Sequence, residues 1–564
     1  MFANPRWAAI VLAAGIVAVP PLVSSAAAAE LEIFHRFGMR DGNSGRDGAS
    51  PEAGLILAQD GKYYGVTSDQ GITPEGYCCG QGTLYRIGQD GYFEHLQTFQ
   101  MDPHGAWPAY PLMQASDGTI YGTAPSGGQN SWGTLFRFSN DTFTVLHHFG
   151  YAAGGSPRGA LVQGADGALY GTLGLGGTNG DGSIFRFKEG EGFSELHPFA
   201  ANDQDDTDPQ GLMLSADGFF YGVTAGDGAN NAGTIFRVSA QGDFEVLHEF
   251  SAAASEQPNV DGKSPQGRLL EDASGNLYGV ARLGGANGSG AVFKFTKPAA
   301  TVPPLAPTPG TVTLLHSFGP GGYESTAAGG TLPGAGLLLA SDGMLYGTTT
   351  RGNEGRGGGV FRLARDGTGF ESLAAFTTGS NAGIEGFEPT SQLLQGPDGS
   401  IYGATGAPGV PGTVFRLNLG LGTPTPIAPP TVQVAFTPSA IKSNEKALLS
   451  WGSDNAYYFC QMSGAWNSAV SSQSPDWAEP SQWPVGTHVV TLTCQNEGGS
   501  ASATAELVVD LYQVPQDSSL AEGGDPGASG WAGAMSWYTL ALLLGLMFLR
   551  VVVMGRIELP TSAL

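Results

Sequence analysis

One pattern recurs seven times in this chain: an Asp-Gly-x-x-Tyr-Gly turn, a Gly-rich loop, an aromatic-Arg pair and, in most copies, a Leu-His-x-Phe strand. Its tyrosine falls at Tyr64, Tyr121, Tyr170, Tyr221, Tyr278, Tyr346 and Tyr402, in steps of 49 to 68 residues. Periods of that size belong to propellers, solenoids or arrays. Within 211–250, four β-type runs can be read at 212–215, 219–224, 234–238 and 244–250. Turn chemistry bounds each of them. Asp217-Gly218 supplies the positive φ of a tight hairpin, the Gly226/Gly228 loop joins runs two and three, and Gln241-Gly242 turns three into four. Four antiparallel strands per unit make one propeller blade.

The ends of the repeat region separate a closed ring from an open array. It begins with an isolated fourth strand, Ile33-Phe34-His35-Arg36-Phe37, and finishes with an unaccompanied third strand, Val414-Phe415-Arg416-Leu417. The two fragments complete one blade. The expectation is therefore an all-β protein: a seven-bladed propeller over 30–419 in which 31–37 closes the last blade and leaves only short sheet edges. A β-helix or other solenoid would want capping units at each end, and none is visible. Composition agrees, with 89 Gly in 564 residues and only 13% charged residues. The formal net charge of −25 argues against nucleic acid as a partner.

Outside the repeats, residues 1–29 carry Arg6, an apolar stretch over 7–19 and a run of small residues, and read as a secretory signal cleaved before Glu30. A Pro-rich linker, 420–430, leads to a module at 431–510 with alternating strands, Trp451 and two cysteines, Cys460 and Cys494. A spacer, 511–531, precedes the uncharged apolar run 532–549, which Arg550 stops and which is long enough to span a bilayer. The expected location is the cell envelope or surface, on a single-pass C-terminal anchor. The tail, 550–564, has the character of a reading frame running into a transfer-RNA gene on the opposite strand.

Two resemblances stand out. Gly-Thr-Leu-Phe-Arg-Phe (133–138), Val-Leu-His-Glu-Phe (246–250) and Asp-Gly-Met-Leu-Tyr-Gly-Thr-Thr (342–349) resemble the GloVer tandem repeats of bacterial "choice-of-anchor" surface proteins, over roughly 31–418. That resemblance implies export and a C-terminal anchor, and brings no catalytic residues. Departures are local: the fifth unit has Ser274 for the turn Asp and a Pro-rich insertion at 297–309, and the sixth has Ala374 for the strand-four His. The 431–510 module resembles a bacterial immunoglobulin-like β-sandwich. In an exported chain Cys460 and Cys494 are expected to form a disulfide across that sandwich. The vicinal pair Cys78-Cys79 is open between a strained disulfide and two thiols.

Residues repeated once per blade are expected to be structural. His35, His147, His197, His248 and His316 stand two before the strand-four Phe and are read as hydrogen-bonded to a neighbouring blade. Arg86, Arg137, Arg186, Arg237, Arg362 and Arg416, with Lys294 in the fifth unit, are read as blade-to-blade ion pairs or stacks. Asp60, Asp117, Asp166, Asp217, Asp342 and Asp398 are read as turn residues.

Function is then sought in the variable segments that join strand four of one blade to strand one of the next, each ending near a repeated Pro: Pro51, Pro108, Pro157, Pro209, Pro265, Pro333 and Pro389. Trp107, Tyr110, Tyr151, Tyr323 and Phe387 in these segments are candidates to stack on sugars or anchor a protein. Asp203, Asp205, Asp206 and Asp208 alternate oxygen ligands that could hold Ca²⁺, without a complete loop pattern. Beyond calcium no cofactor is expected. No nucleophile elbow, phosphate loop or zinc spacing is present. The reading is a non-enzymatic display protein that binds extracellular glycan or envelope protein; the alternative is an extracellular polysaccharide lyase or hydrolase with its site over the channel.

Overall fold

The computed structural model describes residues 29–422 apart from 39–46, 70–79, 200–207, 227, 252–257, 299–309, 321–328, 353–355, 378–387 and 407–411. It also describes 431–510 apart from 438, 443–446, 455–458, 465–467, 471–472, 479–484 and 497–498. The signal-like segment 1–28, Cys78-Cys79 and the apolar run 532–549 lie outside the described residues. Among the described residues no helix is long and apolar enough to cross a membrane.

Seven sheets follow one another through the repeats; five are four-stranded in sequence order, the sixth splits its first strand into Thr331–Pro333 and Leu338–Leu339, and the seventh breaks the order. Blade four shows the plan: Met213–Leu214, Phe220–Thr224, Thr234–Val238 and Phe244–Glu249. The seventh blade is completed from the other end of the chain. Glu30–Arg36 pairs antiparallel with Thr413–Asn418, setting Leu31 opposite Leu417 and Ile33 opposite Phe415. Phe37, 1% exposed, then packs with Tyr402 and Val414 of blade seven against Leu55, Tyr63 and Tyr85 of blade one. The ring is closed as the strand inventory predicted.

The repeated motifs have physical causes. The Gly of each Tyr-Gly leaves room for the strand-three aromatic ring, which lies directly on it. A Cβ on Gly222 would stand 2.4 Å from Phe236 Cζ, and one on Gly403 would stand 2.4 Å from Phe415 Cζ. The Leu of Leu-His-x-Phe is the extra residue of a β-bulge. In blade four Ile235 faces His248 and Phe236 faces Val246, so Leu247 is left over. The same shift occurs between strands three and four of all seven blades. A bulge re-aims the side chains beyond it. It lets Leu247 and Phe250, 3% and 0% exposed, both enter the core shared with Leu269, Phe293 and Phe295 of blade five.

The repeated polar residues knit blades, with some corrections to expectation. Of the five histidines, His35, His147, His197 and His316 lie flat on the Phe that opens strand four of the next blade, with centroids 3.7–4.9 Å apart and planes within 9°. Ring stacking thus joins these blades, a contact the sequence reading did not include; His35 Nε2 also stands 3.4 Å from Asp47. His248 has a carboxylate partner, with Nε2 3.1 Å from Asp261. The arginines pair mostly inside their own blade, Arg186 with Asp166 and Arg237 with Glu245. Arg86 to Asp141 and Arg137 to Glu189 cross to the next blade. The turn aspartates have two tasks: Asp217 Oδ1 accepts from the Phe219 amide while Oδ2 accepts from the Tyr221 hydroxyl at 2.6 Å. In blade five Asp272 takes over the task that Ser274 cannot perform, accepting from Tyr278 at 2.9 Å.

The 431–510 segment forms two sheets. One holds Thr431–Thr437, Ala447–Asp454 and Gln473–Ala478; the other holds Ala440–Lys442, Gly499–Asp510, Gly486–Asn496, Phe459–Gly464 and Ser468–Val470 in that order. Cys460 and Cys494 face each other directly on paired strands of the second sheet. Their backbone positions are therefore within one sheet, in place of the expected bridge between two.

Candidate functional site

Antiparallel order puts the Asp-Gly turns on one propeller face, and the Gly-rich loops and blade-to-blade connections on the other. On that second face the residue before each repeated Pro is left-handed: Ser50, Trp107, Ser156, Asp208, Ser264, Leu332 and Glu388 have φ between 53° and 63°. Proline disfavours helical backbone in the residue before it, and a non-Gly residue at positive φ costs on the order of 1–3 kcal/mol. Packing between blades holds the conformation. The amides of Trp107, Ser156, Ser264, Leu332 and Glu388 donate at 2.8–2.9 Å to Gln81, Trp132, Ala232, Ser289 and Gly357 of the preceding blade. The Pro ring then presses on the Gly that opens strand three there; a Cβ on Gly233 would stand 2.6 Å from Pro265 Cδ and 2.3 Å from Thr224 O.

This turn aims the next residues at the axis. First strands meet around it: a Cβ on Gly159 would lie 2.4 Å from Gly211 Cα, and one on Gly267 2.4 Å from Gly336 N. Residues flanking the Pro therefore form the mouth of the axis, and their identities differ from blade to blade. Glu52 follows Pro51, Arg158 follows Pro157, and Asp208 and Glu388 precede theirs. Tyr110 stands two after Pro108, and Arg351 at the end of a second strand reaches Glu388 at 2.5 Å. Arg158 pairs with Asp208.

Two atoms here are buried with no hydrogen-bond partner among the described residues, Glu52 Oε1 and Arg158 Nε. Burial, reinforced by the negative charges of Glu388 and Asp69, pushes the Glu52 carboxyl up to about 7. Burial also raises the Tyr110 hydroxyl; Arg158 opposes that shift, while Asp208 and Glu52 add to it. A carboxyl poised near neutrality, a phenol, and a guanidinium with an unused N–H thus share one site. Such a site can donate to and accept from a polar ligand, and can move a proton.

Residues 70–260 and 200–306 match the Gloeobacter/Verrucomicrobia repeat family. The match covers 70–306, the stretch that holds blades two to four and most of blade five. Among solved structures the chain is similar to a candidate 6-phosphogluconolactonase from Bacteroides fragilis, at 13% identity over 73% of this chain and 98% of that one, with a TM-score of 0.37. It is also similar to the apo soluble aldose sugar dehydrogenase of Escherichia coli, at 14% identity over 69% and 99%, with a TM-score of 0.35. No curated protein matches.

Among the described residues, the candidates from sequence do not gather into one patch. Tyr110 and Asp208 join the axial mouth, where Asp208 is the partner of Arg158. Trp107 occupies a left-handed position and is 46% exposed. Tyr151 is 53% exposed on a single 3₁₀ turn, Tyr151–Ala153, beside Trp132. Tyr323, Phe387, Asp203, Asp205 and Asp206 lie outside the described residues. Glu52, Arg158, Arg351 and Glu388 were missed. Three of them are adjacent to a repeated Pro, and that offset was the signal available to find them.

Proposed function

We propose that this is an exported, membrane-anchored envelope protein whose propeller binds a neutral, hydroxyl-rich ligand, a glycan, at the axial mouth. One observation carries the reading: Glu52 holds a buried carboxyl oxygen with no hydrogen-bond partner among the described residues, at the centre of the loop face. A buried polar atom left unpaired costs about 1–3 kcal/mol, which a ligand hydroxyl would recover. The mouth offers four carboxyls, Glu52, Asp69, Asp208 and Glu388, against two guanidiniums, Arg158 and Arg351, so an anionic ligand is disfavoured. Export and anchoring rest on 1–29 and 532–549. The 431–510 segment, with its two sheets, is assigned as an immunoglobulin-like spacer, in which Cys460 and Cys494 stand at cross-strand positions suited to a disulfide.

A second reading is favoured by one feature, the near-neutral Glu52 carboxyl beside Tyr110: a polysaccharide hydrolase or lyase with Glu52 transferring the proton. Incubating the protein with neutral glycans separates the two. Retention without product supports binding, new reducing or unsaturated ends support catalysis, and neither retention nor product rejects both.

A further inference from the structure

A second feature of the loop face lies away from the axis. Between blades two and three, Asn130, Trp132, His147, His148 and the Tyr151 turn line an open depression of about 460 Å³. The rings of Trp132 and Tyr151 stand 5.0 Å apart at 51°, forming two walls of a shallow cleft. His147, stacked on Phe193 at 4.9 Å and 4°, is held rigid by the next blade.

Trp132 breaks the repeat at a position whose backbone task is shared. Its carbonyl receives the Ser156 amide, as Gln81, Ala232 and Ser289 receive theirs, and in those blades the same position carries a small or polar side chain. The indole packs beside Gly155 and against the core around Leu135 and Phe149, and also lines the depression. Likewise Tyr151 sits on the 3₁₀ turn with half its surface exposed, although its backbone alone serves the fold by accepting from the Gly177 amide. Polar groups are placed at the edge. His148 Nδ1 accepts from the Gln129 amide at 3.3 Å, and an imidazole accepting there carries its proton on Nε2. Asn130 donates through Nδ2 to His148 O at 3.2 Å, which leaves its Oδ1 as an acceptor.

We propose that this depression is a carbohydrate subsite that stacks one neutral pyranose ring against Trp132 and Tyr151 and bonds its hydroxyls at Asn130 and His148. The match is chemical. A pyranose has one face of C–H groups, which suits tilted aromatic walls, and an equatorial rim of hydroxyls, which suits a neutral donor and acceptor at the edge. The volume is that of a small-ligand pocket. The subsite extends the glycan reading outward along the same face and uses none of the residues of the axial mouth.

The test is binding of the full chain to an array of neutral gluco- and manno-oligosaccharides, comparing wild type with Tyr151→Ala, Tyr151→Phe, Trp132→Phe and Glu52→Gln. The exposure of Tyr151 keeps its variants folded, which a melting curve checks. The proposal expects about a tenfold loss for Tyr151→Ala, near-retention for Tyr151→Phe and Trp132→Phe, and a residual, Tyr151-dependent signal in Glu52→Gln. A signal abolished by Glu52→Gln and untouched by Tyr151→Ala overturns the subsite and leaves the axial reading standing. Absence of signal on every neutral glycan overturns both.

Discussion

His316 of blade five lies face to face on Phe370 of blade six, the ring centroids 3.7 Å apart and the planes within 2°. Burial lowers the His316 imidazole to about 4, because a charged ring cannot be solvated in that stack. In the unfolded chain the same group titrates near 6.5. Unfolded chains thus bind the extra proton between those values, and the neutral stack contributes its full stability only above about pH 6.5. Stability is lost as the pH falls toward 4. Denaturant midpoints should decline over that window, and His316→Phe should remove on the order of 2 kcal/mol of the decline. An unchanged pH profile in the variant contradicts the stacking account.

Gly222 is required by the ring of Phe236, and not by its own backbone. Gly222→Ala should destabilise by about 1–3 kcal/mol, since Phe236 must leave a fully buried position. Gly226→Ala is the control, because nothing among the described residues lies within 4 Å of its added carbon. Chemical denaturation of the two variants checks the difference; equal effects would remove the close-packing explanation of the Tyr-Gly motif.

Closure of the ring rests on the chain's first described strand. Phe37→Ala should cost about 3–5 kcal/mol, as deletion of a buried Phe does, because Phe37 lies between blades seven and one. Hydrogen exchange should show the loss first in Thr413–Asn418, whose outer edge Glu30–Arg36 covers. Exchange that rises uniformly over all blades would speak against a closure strand.

Cys460 and Cys494 are directly opposite on paired strands. Non-reducing peptide mapping should recover them as one linked peptide, and reduction should lower the unfolding temperature of the 431–510 segment. Recovery of both as free thiols refutes the pairing.

Much of this fold can be read from the sequence, because its determinants are local and repeated. Turn glycines, strand periods and the unmatched strands at 33–37 and 414–417 specify blades and closure together. What escapes is what depends on distant segments. His316 and Phe370 are brought together only by adjacent blades, and Asp272 replaces the missing turn Asp only because a carboxyl two residues earlier reaches Tyr278. The axial mouth is harder still. Glu52, Tyr110, Arg158 and Glu388 come from four blades, and are aimed by a left-handed residue before proline, the backbone state that sequence rules disfavour. Of the aromatic residues chosen by loop, Tyr110 shares its electrostatic surroundings with Glu52 and Arg158, whereas Tyr151 stands beside Trp132.

Glu52 is the residue on which the functional account turns. The most direct measurement is calorimetric titration of the full chain and of Glu52→Gln with the best neutral glycan from the array, at pH 5.5 and pH 8. An ionised carboxylate accepts hydroxyl donors more strongly than a protonated one, and Glu52 ionises near 7. The account predicts wild-type binding that strengthens between the two pH values, and a Glu52→Gln variant weakened by about tenfold whose affinity no longer changes with pH. Equal affinity and an equal pH profile in the two proteins would contradict it.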